Sequence, residues 1–72
     1  MKIHFTVEKI EAMLKAFNLS QTELSKRLGI SQVYINQIIR GERNISTRVQ
    51  KELNRVYGEL LDRVKVFENQ IS

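Results

Sequence analysis

The chain has no cysteine, no proline, a single histidine and only three glycines among its 72 residues. Without cysteine there is neither a disulfide framework nor a thiolate zinc site. His4 alone cannot build a histidine metal site, so neither metal nor cofactor is expected. The absence of proline and the scarcity of glycine argue against a loop-rich all-β fold. No apolar run approaches the ~18–20 residues that span a bilayer, and no signal-peptide pattern opens the chain. A soluble, cytoplasmic protein without a membrane partner is expected. No glycine-rich phosphate loop, metal-ligand spacing or nucleophile–base pairing is visible, so an enzyme is not expected. Glu8 and Glu11 lie three apart, as on an exposed charged helix face.

What remains is the composition of one small folded domain spanning 1–72, with 42% hydrophobic and 28% charged residues. A core of this size supplies only about 3–5 kcal/mol of net stability, and dimerisation would add to it. The net charge of +4 is unevenly placed. Residues 31–48 hold Arg40, Arg43 and Arg48 against Glu42, a net +2. Residues 1–30 hold five basic and three acidic side chains, again +2, whereas 49–72 balance to zero. A basic front with a neutral tail suits a polyanion on one side and a different task at the C-terminus.

Ile3 and Phe5 alternate with polar neighbours, so residues 1–5 read as an arm or a short strand. Thr6 is a helix N-cap candidate, and Val7, Ile10, Met13, Leu14 and Phe17 then recur at helical spacing over about 7–17. Ser20-Gln21-Thr22-Glu23 matches a capping box, in which Ser20 accepts from the Glu23 N–H and Glu23 reaches back to the Ser20 N–H. The second helix therefore starts at Gln21 and stops at Gly29, a residue free to take positive φ. Ser31 caps a third helix that runs to about Arg40, where Gly41 closes it. Two short helices over the turn Gly29-Ile30-Ser31 make a helix-turn-helix at 20–40.

The third helix carries the sharpest chemistry. Ile35, Ile38 and Ile39 share one face, and Val33, Asn36, Gln37 and Arg40 occupy the other, with Gln32 at its edge and Tyr34 on the boundary. No charge lies between Ser31 and Ile39. A merely solvated helix face usually carries Lys and Glu. Amides present a donor beside an acceptor, which matches the N6/N7 edge of adenine in the major groove, and Val33 suits a thymine methyl. Arg43 and Asn44 follow at the end of this helix, where they can grip phosphates. The N-termini of the second and third helices add free N–H groups for the same purpose.

The run Gln21-Thr22-Glu23-Leu24-Ser25-Lys26-Arg27-Leu28-Gly29-Ile30-Ser31-Gln32-Val33-Tyr34-Ile35-Asn36-Gln37-Ile38-Ile39-Arg40 resembles the helix-turn-helix of the lambda-repressor-like family, the Cro and phage-repressor type. The resemblance covers about 7–57 and is strongest over 20–46. It implies an all-α fold of four to five helices with an extended C-terminal helix, and binding of double-stranded operator DNA by a homodimer, at the nucleoid when bound. By the same resemblance Gln32, Val33, Asn36 and Gln37 face bases. Gln21 touches a phosphate and braces Gln32, and Ser31, Tyr34, Arg40, Arg43 and Asn44 lie near the backbone. Ser25 stands where the family usually has alanine, and is nearly as small. The family's short turn before the last helix is missing from this sequence.

From Ser46 onward one more helical region is expected, with Gly58 as its one possible break. Leu53, Tyr57, Leu60, Val64, Phe67 and Ile71 are spaced as a heptad seam. Val49, Leu53, Val56 and Leu60 alternatively complete the core of a single chain, which leaves Val64, Phe67 and Ile71 beyond its needs. The segment 58–72, with Leu60, Val64, Phe67 and Ile71, is the expected dimerisation element. In a parallel pairing Arg63 and Glu68 take the flanking positions with opposite charge. The function expected is a sequence-specific transcriptional regulator, a repressor of phage or mobile-element type. The alternative is a protein-interaction module, such as an antitoxin or regulatory subunit, that holds a protein partner through the C-terminal helix.

Overall fold

A computed structural model describes residues 2–71. Four helices follow one another: α1 (Val7–Ala16), α2 (Gln21–Leu28), α3 (Gln32–Ile39) and α4 (Thr47–Ile71). The all-α class expected from the sequence holds, with four helices and, among the described residues, neither a fifth nor a strand. No helix among these residues is long and apolar enough to cross a membrane.

Every helix begins in the same way. The hydroxyls of Thr6, Ser20, Ser31 and Ser46 accept from the backbone N–H three residues on, at 3.3, 3.1, 3.0 and 3.2 Å. Each satisfies one of the four N–H groups that a helix start leaves without a partner. The reciprocal arm of the capping box differs from expectation. The Glu23 carboxylate accepts from the Ser20 hydroxyl at 3.3 Å rather than from its backbone N–H.

The three short helices also share one ending. Asn18 (φ 53°), Gly29 (φ 71°) and Gly41 (φ 77°) take the left-handed conformation. The next N–H then donates to the carbonyl five residues back: Leu19 to Leu14 at 2.8 Å, Ile30 to Ser25 at 3.0 Å and Glu42 to Gln37 at 2.9 Å. This closure satisfies helix carbonyls that water would otherwise take. It also turns Leu19 and Ile30 back against the core.

Ile10, Leu24, Ile35, Ile38, Leu53 and Val56 are fully buried, so all four helices contribute to one core. Ser25 is buried with them, and its hydroxyl donates to the Thr22 carbonyl at 2.7 Å, leaving no orphaned polar atom. Tyr57 bridges Phe5 and Phe17 edge-on, each with ring centroids 6.2 Å away.

The N-terminal segment is neither a paired strand nor a free arm over its described residues; Met1 lies outside them. Phe5 is buried, and the backbone of Ile3 and Phe5 is clasped by two amide side chains of α4. Asn54 accepts from the Ile3 N–H at 2.7 Å and donates to its carbonyl at 2.8 Å. Gln50 does the same for Phe5, at 2.8 Å both ways. The amides lie one helical turn apart and the clasped residues two apart, so a helix supplies the partners that a neighbouring strand would.

Arg55 ties α4 to α2, donating to the Arg27 carbonyl at 2.8 Å at the end of α2. It is flanked by Glu52 and Glu59. Its hydrogen bond to Glu52, with the charges of both glutamates, holds its pKa above the ordinary arginine value.

α4 runs unbroken through Gly58. Val49, Leu53, Val56 and Leu60 are buried in the core, as the single-chain alternative expected. Beyond Leu61 every residue from 62 to 70 is exposed, and the tail draws the molecule out to 44 Å in its longest dimension.

Candidate nucleic-acid interface

α3 is anchored from beneath. Ile35 and Ile38 are both wholly buried, and Ile39 packs at the edge of the core. That anchorage fixes the rotation of the helix and turns Gln32, Val33, Asn36, Gln37 and Arg40 outward onto one continuous shallow surface with Glu42. Val33 is 67% exposed among these polar side chains. Gln32 and Arg40 are exposed, and Asn36 and Gln37 are half-buried.

Two of these amides are held from outside α3. Asn36 Nδ2 donates to Gln21 Oε1, on the first residue of α2, at 3.4 Å. The contact from Gln21 thus reaches Asn36, whereas the family resemblance implied a brace on Gln32. Gln37 Oε1 accepts from Arg43 Nε at 3.0 Å. The Arg43 guanidinium carbon lies 4.5 Å from the centroid of the Tyr34 ring, a stacking distance for a cation on an aromatic face. Tyr34 is itself half-buried and gives a firm platform.

The remaining residues named for the backbone border the same surface. Ser31 is exposed at the start of α3, with its oxygen engaged by the Tyr34 N–H. Arg40 ends α3, and Arg43 and Asn44 are exposed in the loop that follows. Asn44, Arg43 and Gly41 also line a depression with His4 and Phe5, so the clasped N-terminal segment flanks this loop. Glu42, an acidic group on the rim of the amide surface, has no signal in the sequence that marks it. Its place becomes visible only once Gly41 turns the chain back along α3.

The residues named for dimerisation divide. Leu60 is only 6% exposed and belongs to the core of its own chain. Val64 and Phe67 are 40% and 61% exposed on the tail of α4. The Ile71 side chain lies outside the described residues. Val66, which lies off the heptad seam, is 56% exposed as well.

A family model described as helix-turn-helix matches residues 10–63. No curated protein and no solved structure matches the chain.

Proposed function

The chain belongs to the lambda-repressor-like helix-turn-helix family, a family of DNA-binding proteins, and from that premise we propose that it is a transcriptional repressor of phage or mobile-element type. It binds a palindromic operator as a homodimer, with α3 in the major groove. The observation that carries this reading is the uncharged, outward amide face of α3 above two wholly buried isoleucines. Gln32, Val33, Asn36 and Gln37 meet base edges, and Gln21, Ser31, Tyr34, Arg40, Arg43 and Asn44 set the helix against the phosphates. Val64 and Phe67, with Ile71, supply the contact between copies, and Leu60 supports it from the core.

Titration of duplex DNA at rising salt tests the binding mode. Log affinity is expected to fall with log salt by about 0.9 for each phosphate neutralised. A flat response contradicts the proposal.

The exposed Val64, Val66 and Phe67 favour a second reading, a module that holds a protein partner through α4. Salt-dependent retention on heparin or DNA distinguishes the two, since only the first needs the basic front.

A further inference from the structure

Asn36 and Gln37 are neighbours on the reading face, yet their partners leave them with different hydrogen-bonding capacity. Asn36 commits one N–H to Gln21 and keeps a free carbonyl and a second N–H. Gln37 engages one lone pair of Oε1 with Arg43 Nε, which turns that oxygen to the arginine and leaves both N–H groups of Nε2 to face outward. Rotating the Gln37 amide by half a turn would set its NH2 against the Arg43 N–H, two donors facing each other. A guanidinium N–H can only donate, and the Tyr34 ring holds it in place.

We propose that Arg43 is the positioning residue that sets the polarity of Gln37, so that Gln37 reads guanine while Asn36 remains an adenine reader. The inference rests on the operator-binding reading given above. The major-groove edge of guanine carries two adjacent acceptors, N7 and O6, which take both N–H groups of Gln37 Nε2. Adenine replaces O6 with an amino donor, which meets a donor and the guanidinium charge. Cytosine also presents an amino group there, and thymine offers a single acceptor beside its methyl. Among the described residues the Arg43 Nη groups make no hydrogen bond or ion pair, so over the Tyr34 ring they stay available for a phosphate. One arginine therefore sets register through charge and base choice through Nε.

Base selection from random duplexes tests this on the full chain. It is run at low salt so that removing one phosphate anchor does not abolish binding, for the unmodified protein, Gln37→Ala and Arg43→Ala. Gln37→Ala is expected to erase preference at one base pair of each half-site, which locates the pair that Gln37 reads. At that pair the unmodified protein is expected to prefer guanine over adenine by roughly tenfold or more. Arg43→Ala is expected to move that position alone toward adenine, leaving adenine where Asn36 reads. The inference is overturned if Arg43→Ala weakens all sequences alike with guanine retained, which is the signature of a phosphate anchor only. It is also overturned if the unmodified protein selects adenine or thymine at that pair, or if Gln37→Ala changes no position. An unmodified protein that selects no sequence at all overturns the operator reading instead, and is told apart because the variants play no part in it.

Discussion

At the scale of single residues, the proposed function divides the outward surface of α3 into groups that discriminate and groups that attach. Gln32 is exposed on the first turn of α3 and Asn36 is half-buried one turn later, each with hydrogen-bonding groups that no other side chain takes up. Gln32→Ala and Asn36→Ala are expected to relax base preference at one or two positions. The cost is roughly 1–3 kcal/mol for each well-formed amide–base pair removed. Selection of sequences by each variant checks this, and an unchanged selected sequence for Gln32→Ala moves the reading face elsewhere. In a salt titration, Arg43→Ala is expected to lower the slope by about 1, because one phosphate is no longer neutralised. The face itself was legible in the sequence because an uncharged amide run opposite an isoleucine stripe depends only on helical periodicity. The brace of Asn36 by Gln21 and the hold of Arg43 on Gln37 were not. They depend on how α2, α3 and the following loop sit in space, which no local pattern encodes.

At the scale of elements, the same contrast between local and long-range decides what the sequence disclosed. The starts of all three short helices were legible because an N-cap joins residues only three apart. Gly29 and Gly41 were legible as ends for a similar reason, whereas Asn18 was not, because a non-glycine in the left-handed region is uncommon. The clasp of Ile3 and Phe5 by Asn54 and Gln50 spans 51 and 45 residues, and nothing in the N-terminal sequence announces it. Two glycines test the reading of the helices in opposite directions. Gly29 sits at φ 71°, where a side chain is strained, so Gly29→Ala is expected to destabilise by roughly 1–2 kcal/mol. Gly58 lies inside α4, and a Cβ there meets nothing within 4 Å. Gly58→Ala is expected to stabilise by roughly 0.5–1 kcal/mol. Urea denaturation of both variants checks the pair, and destabilisation by Gly58→Ala contradicts the continuous helix.

At the scale of the whole molecule, a compact four-helix body carries a projecting helical tail. Residues 62–70 are exposed and lie beyond the core, which closes at Leu60. Deleting 62–72 is therefore expected to leave a folded, helical monomer with much weaker operator binding. Sedimentation showing the truncated chain still dimeric at micromolar concentration would move the interface to the body or the N-terminal segment. A dimer with two copies of α3 on one face of the duplex requires half-sites about 34 Å apart, or a multiple of it, arranged as an inverted repeat. The proposed function rests on α3 reading sequence. The most direct measurement is the ratio of affinities of the intact protein for its selected duplex and for a scrambled duplex of equal length at physiological salt. The expected result is a preference of about a thousandfold or more. Equal affinity for the two duplexes would contradict it.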